Sequence, residues 1–507
     1  MRARRHLTRL VSVGSACTLI AACGSGTGNA TDSSTAAIGG AGAIPAPAHI
    51  ATVAPLRDWP EFGLNPQRGD ATERATEITS ANVGHLHHLR VALPGTVDSS
   101  PIYLHAATVN GAVHETIIVT TTYGKTLAID AADGRVLWTF TPPGYAGWAG
   151  SEQLTTTSPL TDPNGLFVYA ASPNGLIHKL SLATGAEDRA GAWPVSVTRD
   201  PTHEKLGAAL NIDGPDVVVA TSGYLGDAPP YQGHVALIDR SSGRLQRVFN
   251  TLCANRRGLL VPSGCQASDS AILSRGGAVV EPGGGRILID TGNGPWNGTT
   301  NFGDSVLELT FPGLSLRQAF TPTNQEELNN TDTDLGSSAP VLLGGNRVMV
   351  AGKDGIMRVL ELPRLNGSSA SSHTRLGGEL QRLPLPGGGE LFTAPAVWRH
   401  GGHTTMFVGD EHATAAYVLR RGRLHLAWQN ETPGTSPVMA GGLLYVYEPS
   451  AGGIYVYRPA SPRPIAALPG LPGHWNSPIV VDGHVVEPEG DANDHNDTSG
   501  TLDVFSR

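Results

Sequence analysis

The sequence predicts an all-β chain folded as an eight-bladed β-propeller of four-stranded antiparallel blades, and three observations carry that prediction. The first is a recurring step in which a small residue and a proline open an apolar run: Ser100-Pro101-Ile102, Ser158-Pro159-Leu160, Ala339-Pro340-Val341, Ala394-Pro395-Ala396, Ser436-Pro437-Val438 and Ser477-Pro478-Ile479. Proline is tolerated at the first residue of a strand, where its missing N–H breaks no ladder. Successive prolines lie 58, 181, 55, 42 and 41 residues apart, and the long step holds two further units without their proline, at Ala209-Leu210-Asn211 and Gly277-Ala278-Val279. The second observation is the content of a unit. After the opening strand comes a β-branched run such as Thr116 to Thr120 or Asp216 to Ala220, then a Gly-containing turn and an alternating run such as Thr126 to Asp130 or His234 to Asp239. A fourth strand follows, clearest from Ala131 to Trp138. The third is composition: 64 Gly, 37 Pro and only 16% charged residues call for tight turns and short strands, and exclude helical bundles.

The last unit stops at Thr501 to Phe505, which offers only a third strand. Its outer strand is expected from Leu86 to Leu93, which pairs the two ends of the chain and closes the ring, leaving no exposed sheet edge. Residues 57–507 therefore read as one domain.

Ahead of the ring the chain carries an address. A basic stretch from Met1 to Arg9, an apolar run from Leu10 to Ala22 too short to span a bilayer comfortably, and a cysteine at position 23 make residues 1–23 a signal peptide. Ile20-Ala21-Ala22-Cys23 resembles the lipobox of bacterial lipoproteins, in which the cysteine is acylated and becomes the new N-terminus. Arg4-Arg5-His6-Leu7 also resembles a twin-arginine signal, which leaves two export routes open. Residues 24–56 begin Gly/Ser/Thr/Ala-rich with little charge and read as a flexible tether. The protein is thus expected outside the cytoplasm, lipid-anchored to a bacterial membrane and facing periplasm or cell exterior.

In such a compartment the two remaining cysteines, Cys253 and Cys265, are expected to form a disulfide. Neither lies in a Cys-x-x-Cys-His unit, so no covalently attached haem is expected. A net charge of −9, with no Lys/Arg-rich run beyond the leader, argues against a nucleic-acid partner. Arginine supplies nearly all the positive charge; the lysines are Lys125, Lys179, Lys205 and Lys353.

The unit from Ala128 to Trp138 resembles the tryptophan-docking repeat of the pyrroloquinoline quinone (PQQ) propellers, and the resemblance runs from about Trp59 to the C-terminus. In that family the tryptophan packs between blades, a place that Trp138 and Trp428 fit, while Phe249 and Leu383 stand in other units. The unit count matches the PQQ-dependent alcohol dehydrogenases; the propeller lipoprotein of the outer-membrane assembly machine is a second relative by fold, without a catalytic role.

The dehydrogenase resemblance implies a Ca²⁺ ion beside the quinone, held by oxygen ligands from successive blades. Gly292-Asn293-Gly294-Pro295-Trp296-Asn297 resembles the family's Gly-Asn-x-x-Pro-Trp-Asn loop, which makes Asn293 the ligand for metal and cofactor. Thr321-Pro322 followed by Asp332-Thr333-Asp334 resembles the stretch that carries the catalytic aspartate: Asp332 is the better match for base and metal ligand, with Asp334 beside it. Lys353 stands where the family places a quinone-contacting Arg or Lys, and Asp227 is the substitute for the glutamate ligand. The sequence departs from the family at Thr331, where a tryptophan is expected, and from Arg275 to Val280, which lacks the tryptophan that floors the quinone. The leading expectation is therefore a binding or scaffold protein with a degenerate quinone and calcium site, serving an envelope protein partner or a small-molecule ligand. The alternative is a PQQ- and Ca²⁺-dependent alcohol or sugar dehydrogenase that uses Asp332 as base.

Overall fold

The computed structural model describes residues 54–224, 228–368, 372–493 and 498–507; Cys23 and the leader, nearly all of the tether, and Asp227 lie outside the described residues. Eight antiparallel sheets follow one another along the chain, at residues 102–140, 160–196, 211–250, 279–320, 341–384, 396–429, 438–468, and 479–506 joined by 87–93. They are numbered blades 1 to 8 below. Each is a four-stranded sheet, and blade 1 gains a fifth strand, Asp58–Trp59, on the edge of Ile102–Val109. First strands of neighbouring blades adjoin, as between blades 3 and 4 or 7 and 8, which sets them around a central channel. No helix among the described residues is long and apolar enough to cross a membrane.

The apolar core lies between blades. One cluster joins Ile118 and Ala128 of blade 1 to Val168 and Leu180 of blade 2; another joins Leu237 of blade 3 to Ile287 and Leu307 of blade 4. The predicted docking residues sit in these seams. Trp138 is buried and its Nε1–H donates to the Leu182 carbonyl of blade 2 at 2.8 Å. A Cβ on Gly185 would come within 2.6 Å of the indole, and Gly185 has a φ of +70°, so glycine is required beneath the ring. Trp428 makes the same kind of contact in the seam between blades 6 and 7, with Nε1–H on the Pro459 carbonyl at 2.7 Å. Phe249 fills the seam between blades 3 and 4, and Leu383 packs against the one between blades 5 and 6.

The ring closes as expected, one residue later than the sequence suggested. His87–Leu93 pairs with Gly500–Ser506 in a register from His87↔Ser506 to Leu93↔Gly500. Across it the Arg90 guanidinium grips Asp503 with two bonds of 2.7 and 2.8 Å. The disulfide Cys253–Cys265 is formed just beyond the outer strand of blade 3, with the Cα atoms 6.2 Å apart.

The segment that enters the ring was not foreseen in its path. Residues 58–70 cross the inner strands and meet those of blades 1, 2, 4, 6 and 7 at their second residues. Trp59 pairs with Tyr103, while the N–H groups of Thr161, Val280, Val397 and Met439 donate to the carbonyls of Pro60, Pro66, Gly69 and Asp70 at 2.8–2.9 Å. Arg68 is its buried centre: Nη1 bonds Glu61 at 3.0 Å and the Phe62 carbonyl at 2.7 Å, Nη2 the Leu210 carbonyl at 2.6 Å, and Nε the Gly276 carbonyl at 3.1 Å. A buried guanidinium is stable only when its donors are met this fully. One end of the channel is thereby floored by the chain itself.

Candidate functional site

At the opposite end, the loops that lead into the inner strands surround two cavities of about 180 and 350 Å³, which share Phe392, His474 and Trp475 as a wall. One register supplies the lining. Counting three residues back from each blade-opening proline, or its equivalent, gives Asp98, Thr156, Gly207, Arg275, Ser337, Phe392, Gly434 and Trp475, and every one of them lines one of the two cavities. The inner strands thus point the same position of each blade at the axis, and that position carries the chemistry.

Blades 4 and 5 bring together the residues singled out in the sequence. Asn293 is buried, and its backbone N–H donates to Asp334 Oδ1 at 2.7 Å. Asp334 Oδ2 meets Lys353 Nζ at 2.5 Å, and the same ammonium lies 3.6 Å from Asp332 Oδ1. Asp334 is buried, whereas the Asp332 side chain is 56% exposed on a residue with a φ of +51°. Burial raises the Asp334 carboxyl above its usual range, and Lys353 offsets this only in part. Behind the pair lies Asp304, unforeseen in the sequence; it is fully buried, accepts the Leu335 N–H at 3.2 Å, and burial pushes it up to about 8.

The other half of the lining comes from the loops that open blades 8, 1 and 3, with Arg275 from the loop before blade 4 and Phe392 from the loop before blade 6. Asp98 is buried, accepts Arg275 Nη2 at 2.9 Å and His474 Nδ1 at 2.8 Å, and takes the Ala492 N–H at 3.0 Å. Burial alone would raise this carboxyl, but Arg275 and His474 outweigh it and hold it well below the usual carboxylate range. Because Nδ1 faces the carboxylate, Nε2 of His474 accepts the Asn493 amide at 3.2 Å. The Trp475 ring stacks on Phe392 with centroids 4.2 Å apart, and the Arg275 guanidinium lies over it at 5.3 Å. Where the resemblance places a tryptophan floor, this chain has Arg275, and its aromatic surface comes from blade 8 instead. Lys205 completes the wall; burial and the nearby Arg275 bring its ammonium down to about 8. Among the described residues, no carboxylate lies within ion-pair distance of it.

The calcium site implied by the resemblance is at odds with these contacts. Both Asp334 oxygens are committed, and the Lys353 ammonium occupies the space between the two aspartates. Among the described residues, the sets of three convergent imidazole or carboxylate groups are Asp98–His474–Asp491 and His105–Glu115–Asp482, and neither contains Asp332 or Asp334. The described residues do not fit a Ca²⁺ ion at Asn293 and Asp332. A hydrolase-like relay also exists, Ser172 Oγ to His178 Nε2 at 2.7 Å and His178 Nδ1 to Glu187 at 2.6 Å, but Ser172 and His178 are wholly buried and line neither cavity. It ties blade 2 together.

The family described as "Outer membrane protein assembly factor BamB" matches residues 86–257, from the closing strand through blade 3. No curated protein matches the chain by sequence. Among solved structures, the quinohemoprotein alcohol dehydrogenase of Comamonas testosteroni is 15% identical with a TM-score of 0.65, over 90% of this chain and 81% of that one. A europium-containing methanol dehydrogenase is 14% identical with a TM-score of 0.63, over 89% of this chain and 98% of that one. BamB from Moraxella catarrhalis is 13% identical with a TM-score of 0.51, over 83% of this chain and 99% of that one. At these identities the likeness concerns architecture, and in architecture the chain is an eight-bladed propeller of the PQQ type, the fold shared by quinoprotein alcohol dehydrogenases and BamB.

Proposed function

We propose that the protein is an exported, lipid-anchored binding protein whose channel mouth takes a planar, anionic small molecule, without calcium-dependent dehydrogenation. One observation carries this reading: Lys205 lines the same cavity as the Trp475 ring and has no carboxylate partner among the described residues. A partly buried ammonium is stabilised by an anion, and an indole face by a flat ring. Arg275 is already neutralised by Asp98, and Lys353 by Asp334, so Lys205 is the cation left to bind the ligand's charge. The smaller cavity, about 180 Å³, suits one ring system more than an extended chain. Support for the anchor comes from Ile20-Ala21-Ala22-Cys23 and the tether behind it.

PQQ itself, a planar tricarboxylate, is the probe. Titrated into the purified protein with and without Ca²⁺, it quenches tryptophan fluorescence equally in both, and no alcohol or aldose reduces an added dye. A charge-assisted contact is worth about 1.5–3 kcal/mol, so Lys205→Ala weakens binding by roughly 10- to 100-fold. Calcium-dependent binding with dye reduction would overturn the proposal in favour of a dehydrogenase with Asp332 as base. Failure to bind the probe at micromolar concentration would return the protein to a partner-protein scaffold, the reading that the BamB match supports. The anchor is tested separately: incorporation of labelled fatty acid is lost in Cys23→Ala.

A further inference from the structure

On the face of the ring away from the cavities, where blade 8 meets blade 1, the side chains of His105, Glu115 and Asp482 converge, and His484 stands beside Glu115. His105 and Glu115 stand on adjacent strands of blade 1, Ile102–Val109 and Ala112–Thr120. Asp482 and His484 flank the turn that joins the first two strands of blade 8. A ligand atom of each of His105, Glu115 and Asp482 lies within 4.8 Å of the other two.

His484 supplies the decisive detail. Its Nδ1 lies 3.0 Å from the backbone carbonyl oxygen of Asp482, which can only accept, so Nδ1 carries the proton. In the neutral ring, Nε2 is then a lone pair, and it faces Glu115 Oε2 at 3.6 Å. Two acceptors that face one another call for a cation between them, either a second proton on the ring or a metal ion. Alongside, His105 Nδ1 is hydrogen-bonded to Asp482 Oδ2, and the Tyr103 hydroxyl donates to that same oxygen at 3.0 Å. The Asp482 carbonyl that orients His484, and the phenol that orients the Asp482 carboxylate, are the outer partners that metal-binding imidazoles and carboxylates commonly have.

We propose that the convergent His105 Nδ1, Glu115 and Asp482 Oδ2, joined by His484 Nε2 from beside Glu115, bind a divalent transition metal of the zinc class, which takes the place of the proton between His105 and Asp482. Two imidazoles and two carboxylates are a zinc-type donor set; calcium, which takes six to eight oxygens, is not served by it. Their combined charge balances a divalent ion; Arg57, which pairs with Asp482 Oδ1, also lies 3.7 Å from Glu77, a carboxylate it shares with Arg507 at 3.1 Å. Because the ligands come from the first and last blades, the metal clips the ring at the seam where its ends meet. Its loss loosens closure.

Cobalt(II) is the probe, since four-coordinate cobalt absorbs strongly in the visible. Added to the metal-stripped full chain, it gives one saturable tetrahedral spectrum per chain, which Zn²⁺ abolishes, and Zn²⁺ raises the melting temperature. His105→Ala and His484→Gln each weaken binding by roughly 100-fold or more and remove the zinc-induced rise. Folding of each variant is checked by its circular dichroism, and His484→Gln retains a side chain able to reach the Asp482 carbonyl if His105→Ala fails to fold. No saturable binding below about 100 µM, a level far weaker than structural zinc sites reach, overturns the proposal. So does binding unchanged in both variants, or binding lost in Asp491→Asn, which would place the ion at the channel mouth.

Discussion

Asp98 and Asp334 are both buried at the channel mouth and both pair with a cation, yet their carboxyls titrate in opposite directions. Burial raises each. Asp98 has a guanidinium, an imidazole and a backbone N–H converging on it, and these win. Asp334 has one ammonium and one N–H, and Asp332 stands near enough to add repulsion, so burial wins. The number of converging donors decides which half of the mouth is a fixed anchor and which keeps its charge at a cost. Asp98→Ala is therefore the most damaging change: it strands Arg275 in a buried site and is expected to cost about 3–5 kcal/mol in urea unfolding. A loss under about 1 kcal/mol would mean that Asp98 is not the anchor of this half of the mouth.

The pH dependence sharpens it. Asp98 has a folded pKa below its unfolded value, so its stabilisation is full above about pH 4 and is lost as pH falls toward the folded value. Asp334 has a folded pKa above its unfolded value, so the folded state holds more protons there and stability declines as pH rises from about 4. Unfolding free energies measured across this range are expected to lose their acid-limb slope in Asp98→Asn and the declining slope in Asp334→Asn. The same slope change in both variants would mean that the two carboxylates are not electrostatically distinct.

Ligand binding separates the halves by a smaller margin. Trp475→Ala is expected to weaken PQQ binding by roughly 10- to 30-fold through loss of the ring face. Wild-type affinity falls as pH rises through about 8, where Lys205 loses its proton, by up to roughly tenfold per unit. Lys205→Arg, whose charge persists, keeps affinity flat over the same range. A pH dependence unchanged by that substitution would move the ligand's charge elsewhere in the cavity.

The fold was legible because its signals are periodic: the small-residue-proline step marks six blades outright, and β-branched runs mark the other two. The tryptophan seams followed from the family resemblance, and the disulfide from two cysteines left in an exported chain. The site was half legible. Asn293, the two aspartates and Lys353 lie in loops with a recognisable motif order, and they do meet. Asp98, Arg275, Phe392 and Trp475 share a position and no residue type, so no motif collects them; aligning the opening prolines and reading three places back would have found them. Lys205 was hidden for another reason, since it lies on a two-residue strand, Glu204–Lys205, paired with Ser222–Gly223 outside the regular blade. Nor could the flooring segment be read, because residues 58–70 have no period and are fixed by bonds to strands hundreds of positions away.

Asp332 carries the smallest expected effect and the finest discrimination. It pairs only loosely with Lys353, at 3.6 Å, with a side chain more than half exposed, whereas Asp334 holds the same ammonium at 2.5 Å in a buried setting. Asp332→Ala is expected to change stability by no more than about 0.5 kcal/mol and to leave probe affinity within about twofold, because exposed ion pairs contribute little. Asp334→Ala, by contrast, leaves Lys353 partly buried beside the uncapped Asn293 N–H and costs more. If Asp332→Ala instead abolished a measurable alcohol oxidation while the probe stayed bound, the aspartate matched by motif order would be the working base. Asp332 would then be the reactive group of the mouth, and buried Asp334 would serve to hold Lys353 beside it.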